Sequence, residues 1–149
     1  MNYLFDPVAS SKIIDRIQQL TPESKSLWGK MNVSQMLAHC QPPMLVALGE
    51  HKLKGNILGF FLGRFIKKVV VGDKPYKRGL PTTPAYIVTE QRNFEEEKQK
   101  LVALVQRFSA GGPDKLSKDP HPVFGPMSAE DWDKSQWKHL DHHLQQFGV

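Results

Sequence analysis

Three of the chain's six histidines lie within five positions, in the stretch KHLDHHLQQF, residues 138–147. A neutral imidazole carries a lone pair that suits a divalent cation. An α-helix turns about 100° per residue, so His139 and His143 stand one turn apart on one face. Two imidazoles so placed can converge on one ion at about 2 Å from each nitrogen. The helical histidine pairs of zinc proteases carry a glutamate base directly after the first histidine. Here that position is Leu140, which removes the protease reading. The competing reading of the pair is a polar helix end, where histidine suits the dipole.

The same arithmetic separates the three histidines. With His139 at zero, Leu140, Leu144, Phe147 and Trp137 centre at about 110–120°, the expected core direction. His143, near 40°, sits on the shoulder of that stripe, and His142, near about 300°, is expected to face solvent. Three protein ligands with one open position make a catalytic zinc site, whereas structural zinc is usually closed by four. The candidates for a third ligand are His39, His51 and His121. His39 lies on a well-formed helix but about 120° from the centre of its apolar stripe. It reaches the core only if the helix kinks at Pro42–Pro43 or is buried on two sides. His51, among lysines, reads as exposed. His121, between two prolines in DPHPVFG, reads as a turn residue. Cys40 falls on the apolar stripe and reads as a buried, inert thiol. Trp28, Trp132 and Trp137 read as packing residues.

The elements that must position these side chains are helical. Pro7 opens a first helix, with Val8, Ile13, Ile14, Ile17 and Leu20 at three- and four-residue steps. Asn32 with Gln35 is a capping box for a second helix, whose stripe runs through Val33, Met36, Leu37, Cys40, Met44 and Ala47. Pro42 and Pro43 must kink or interrupt that helix. The apolar run 57–71 is broken by Arg64, Lys67 and Lys68 and is shorter than the ~20 residues of a membrane span. It reads as a buried amphipathic helix, with an interfacial membrane helix as the minor alternative. A long Gly-, Pro- and Lys-rich loop follows over 72–86, and loops of that length are often functional. Residues 90–112 predict another helix, stopped by Gly111 and Gly112. Ser128 with Asp131 caps the last helix, and Gly148 closes it. Strand signals are confined to AYIVT, residues 85–89. The fold class is all-α, a four-helix bundle with long crossover loops, in one domain over residues 1–149.

Composition bounds the rest. A single cysteine excludes an internal disulfide and fits a reducing, cytoplasmic compartment. The N-terminal stretch MNYLFDPVASSK has no basic region followed by an apolar run, so no signal peptide is expected. The net charge is +5, and its excess is concentrated: His51 to Thr89 holds Lys52, Lys54, Arg64, Lys67, Lys68, Lys74, Lys77 and Arg78 against Asp73 alone. Lys67, Lys68, Lys74, Lys77 and Arg78 are the candidate anion-binding residues, with a solvated basic face as the bland alternative. No motif for nucleic-acid binding accompanies them, and no nucleic-acid partner is expected.

Two stretches resemble the DinB/YfiT-like superfamily of metalloenzymes. LWGKMNVSQMLAHC matches its tryptophan and ligand histidine at Trp28 and His39. HLDHHLQQ matches its H-x-x-H-H-x-x-Q signature at His139, His142, His143 and Gln146. HPVFGPMSAEDW, before the last helix, looks like an uncharacterised branch of that superfamily, a domain of unknown function. The resemblance implies a four-helix bundle that binds a divalent metal ion through His39, His139 and His143. The chain departs from the superfamily at Leu144 and Gln145, where many members have Arg-Gly, and at the double proline after His39. Gln146, one turn beyond His143, is placed to support a ligand.

The expectation is a divalent-metal-binding protein, with zinc or nickel foremost. It would act as a metal-dependent hydrolase or thiol-dependent transferase on a small anionic or thiol substrate, with a homodimer left open. The alternative is a non-enzymatic helical module that binds a small ligand, a protein partner or a polyanion.

Overall fold

A computed structural model describes residues 3–55 and 57–149, the side chain of Phe60 excepted; Met1 and Asn2 of the N-terminal stretch lie outside it. Among the described residues there are six α-helices and no β-strand: α1 (Pro7–Gln19), α2 (Val33–His39), α3 (Gln41–Ala47), α4 (Ile57–Val71), α5 (Phe94–Gly111) and α6 (Ala129–Gln146). The all-α class holds. AYIVT forms no strand; its first residues belong to a short 3-10 turn, Pro84–Tyr86.

Local chemistry sets the helix ends. The Asp6 side chain accepts from the Val8 N–H and Pro7 takes the first helical position, where no N–H is needed. Both capping boxes form, Asn32 with Gln35 and Ser128 with Asp131. Pro42 and Pro43 divide the second predicted helix. α2 ends at His39, Cys40 is the junction, and the prolines sit in the first turn of α3, where their missing donors cost nothing. Asn93 caps α5, and Glu95, Glu96 and Glu97 fall in its first turn, where carboxylates suit the dipole.

α5 is the central helix. α1, α2 and α3 pack on it, and α6 packs on α1, α3 and α4. Ile13, Ile17, Met36, Leu37, Met44, Leu101, Val105, Phe108, Leu140 and Leu144 fill the space between them. Each large aliphatic side chain so buried contributes roughly 1.5–3 kcal/mol of transfer free energy. Phe5 stacks on Phe108 with ring centroids 5.2 Å apart. Val8, included in the predicted stripe of α1, is instead exposed.

α4 differs from the expectation of a buried helix. It packs on α6. Gly63 meets the Val123 backbone so closely that an added Cβ would stand 1.6 Å from the carbonyl oxygen. Lys67 pairs with Asp131 at 2.8 Å and donates to the Pro126 carbonyl. From α6, Lys138 donates to the carbonyls of Val69 and Gly72 and so caps the C-terminus of α4. The opposite face of α4 is exposed.

Candidate metal centre

The end of α2 delivers His39 and α6 delivers His139 and His143 to one point. One ring nitrogen from each lies within 4.8 Å of the others. The Nε2 atoms of His39 and His139 are 3.1 Å apart. Nitrogen ligands at about 2.0–2.1 Å from a tetrahedral ion are themselves roughly 3.3 Å apart, so this pair is already at ligand spacing. The three rings meet edge to face, with centroids 4.7–5.0 Å apart.

Hydrogen bonds fix which nitrogens face inward. His39 Nδ1 lies 2.7 Å from the Tyr86 carbonyl, which can only accept. His39 is therefore protonated at Nδ1 and keeps a lone pair at Nε2. Gln146 Nε2 donates to the Trp28 carbonyl at 2.6 Å, which leaves Gln146 Oε1 as the acceptor facing His143 Nδ1 at 2.8 Å. His143 is thus also protonated at Nδ1. A carbonyl acceptor behind each imidazole is the usual outer support of a histidine ligand. His139 Nδ1 is buried without a partner among the described residues. Gly29 makes the Gln146 contact fit, because its φ is +79° and a Cβ there would stand 2.5 Å from Gln146 Nε2.

Burial keeps these imidazoles neutral. It lowers the pKa of His39, partly offset by the Tyr86 carbonyl. It holds His139 well below the usual value, with repulsion from His143, His39 and His142 adding to the effect. It pushes His143 down to about 3, again helped by His39. Neutral imidazole is the form that binds metal. Donor type, spacing and the tautomers of His39 and His143 therefore fit a divalent ion.

The cluster forms part of the wall of a cavity of about 400 Å³. From α6 the wall takes Trp132, Ser135, Gln136, His139, His142 and His143, of which Trp132, Gln136, His139 and His143 lie within about 60° on one helix face. From α4 it takes Ile66, Val69 and Val70, and from the long loop Tyr76, Leu80 and Tyr86. His121, Val123 and Phe124 close another side. Among the described residues, no Asp, Glu, Lys or Arg side chain lines it. Trp132 Nε1 and Gln136 Oε1 are buried without partners among the described residues.

Each expected residue has a definite place. His39 is buried, because α2 is covered by α5 on one side and His39 meets α6 and the Tyr86 carbonyl on another. His142 is not in the cluster, but neither does it face solvent as expected. It is half-buried on the cavity wall, with its ring 5.6 Å from Tyr76 and 5.7 Å from Trp28. The helical arithmetic gave α6 one buried face, whereas Trp28 and the Tyr76 loop lie against a second. His51 is exposed, as expected. His121 holds a turn by accepting the N–H groups of Val123 and Phe124 at Nδ1, and it also lines the cavity. Cys40 is buried and its thiol pKa is raised by desolvation. Trp132 is buried, and Trp28 and Trp137 are half-buried. Of the basic residues, none lines the cavity. Lys67 is engaged by Asp131, Arg78 lies over the Trp28 ring at 4.2 Å, and Lys68, Lys74 and Lys77 are exposed.

Sequence reasoning missed Tyr86, which acts through a backbone carbonyl that carries no residue-type signal. It also missed Gln136, whose place beside the histidines follows from its i, i+3 spacing to His139. No curated protein and no solved structure matches the chain. The family model described as "Protein of unknown function (DUF1569)" matches residues 8–148, nearly the whole length, and the chain belongs to that family.

Proposed function

We propose that His39, His139 and His143 bind one divalent metal ion, zinc or nickel, and that the ion makes the cavity a catalytic centre. The convergence of three neutral imidazoles, two of them held at Nδ1 by carbonyl acceptors, carries this reading. When bound, a 2+ ion with neutral ligands supplies the Lewis acidity needed by a hydrolase or a thiol-dependent transferase. Tyr86 and Gln146 orient the ligands, and the apolar wall limits water around the reacting group. The absence of Lys and Arg from the wall favours a substrate with a neutral or apolar body, its metal-binding group being carboxylate, carbonyl or thiol. In this reading α1, the broken rod α2–α3, α5 and α6 form one bundle domain of the DinB/YfiT type, and α4 is an addition to it.

Elemental analysis of protein purified without an affinity tag tests the metal, with one ion per chain expected. His39→Ala, His139→Ala and His143→Ala should each weaken binding by more than the about 10–100-fold typical of losing an outer support. His142→Ala should stay near wild type. Absence of stoichiometric binding, or equal losses at all four histidines, overturns the site. A second reading, a non-enzymatic ligand-binding module, draws support from the lack of any carboxylate base on the wall. Stoichiometric metal without turnover of any ester, amide or thiol-acceptor substrate would favour it.

A further inference from the structure

α4 presents a largely exposed apolar face. Ile57, Leu58, Phe61, Leu62 and Phe65 are each between 48% and 79% exposed. With Ile57 at zero they span from 0° to about 140° around the helix. Gly63 and Lys67, which seat α4 on the rest of the protein, fall on the other side, near about 240° and 280°. The stripe is therefore a coherent surface more than a hundred degrees wide, turned away from the fold. Soluble proteins rarely leave so contiguous a patch without a partner.

Charge identifies the partner. Arg64 and Lys68 are both exposed; Arg64, near about 340°, borders the stripe, and Lys68, near about 20°, lies just inside that same edge. α4 contains no acid, and the exposed Lys52, Lys54, Lys74 and Lys77 flank it in sequence. A second copy is a poor fit. A two-fold contact through this face would set Arg64 and Lys68 against their own counterparts, with no acid on the helix to pair them. An anionic lipid surface accepts both parts: the headgroups meet the cations while the aromatic and aliphatic side chains enter the acyl boundary. Long basic side chains can keep their heads at headgroup level while their stems lie along apolar surface. No helix among the described residues is long and apolar enough to cross a membrane, so the contact would be peripheral.

We propose that α4 docks the protein on an anionic lipid surface, its axis in the plane of the interface. The proposal does not depend on metal in the histidine cluster. The test is co-sedimentation of the full chain with vesicles of phosphatidylcholine alone and of phosphatidylcholine mixed with phosphatidylglycerol, at low and high salt. Binding is expected to the mixed vesicles and to fall with salt. Arg64→Gln/Lys68→Gln should weaken it about thirtyfold, at roughly a fivefold loss per cation near the surface. Phe61→Ser/Phe65→Ser should weaken it at least about tenfold. Circular dichroism checks that this variant folds; if it does not, Ile57→Ser, at the first residue of α4, replaces it. Equal binding to both vesicle types, or binding to neither, overturns the proposal. A dimer in sedimentation that the serine variants dissolve would assign the face to a second copy and overturn it equally.

Discussion

Replacing Gly63 by alanine should destabilise the protein, although the same change in most helices does the reverse. Gly63 is interior to α4, where alanine is intrinsically favoured by about 0.8–1 kcal/mol. Against that stands the Val123 carbonyl, 1.6 Å from the position of the new Cβ. The obstacle is backbone, so no flexible side chain can swing aside. Either α4 lifts or the 121–125 turn shifts, and that turn is braced by the His121 contacts to Val123 and Phe124. Overpacking of a fitted contact typically costs 1–3 kcal/mol and more when backbone must move, so the upper end applies. The net expectation is a loss of about 2 kcal/mol, or a fall in Tm of roughly 4–8 °C at this size. Urea denaturation followed by circular dichroism measures it, with the exposed Phe65→Ala as a near-neutral reference. A Gly63→Ala protein as stable as wild type, or more stable, would show that α4 does not rest on residues 122–124.

Three other outcomes follow from the site and its surroundings. Gln146→Leu removes the acceptor behind His143 and should weaken zinc binding about 10–100-fold by calorimetry, with Gln146→Glu recovering part of it; unchanged affinity would mean the contact does not orient the ligand. Metal-free protein should lose stability in acid, because burial pushes His121 down to about 4 against 6.5 when unfolded. Its contribution, about 3 kcal/mol, is present above pH 6.5 and lost as pH falls toward 4; a flat profile in a chelator-treated Asp133→Asn variant would refute it. Asp133 has the opposite sign: burial, against the Phe5 and Leu4 N–H groups, pushes its carboxyl up to about 6, so the folded chain takes the proton first. Stability from that group rises as pH falls from about 6 to 4, and Asp133→Asn should therefore steepen the acid loss by up to about 3 kcal/mol over wild type.

Much of the site was legible because its grammar is local. The i, i+4 spacing of His139 and His143 and the two capping boxes depend on residues within a turn of each other. The Pro42–Pro43 interruption is equally local, since a missing N–H acts wherever it falls. The errors came from neighbours. His142 was assigned to solvent because one apolar stripe defined the core of α6, and Lys138, Gln136 and Ser135 gave no hint that a second face was buried. His39 posed the same problem on α2. α4 erred the other way: an amphipathic pattern marks an apolar face but does not say whether the protein itself covers it. The loop over 72–86 announced itself by length and composition, yet its sharpest contribution is the Tyr86 carbonyl.

The two halves of the histidine cluster belong to different moments of folding. His139 and His143 stand together as soon as α6 forms, and helices form in about a microsecond or less. His39 is 100 residues away along the chain and arrives only when α2 has docked. The Tyr86 carbonyl that sets its tautomer comes from yet another loop. An ion met early would thus have a two-toothed grip on one helix, and full affinity would wait for the last closure of the fold. Contacts completed that late act on unfolding rather than on folding. On the proposed metal-bound reading the cluster acts as a latch: with zinc present, stopped-flow kinetics should show slower unfolding and an unaltered folding rate.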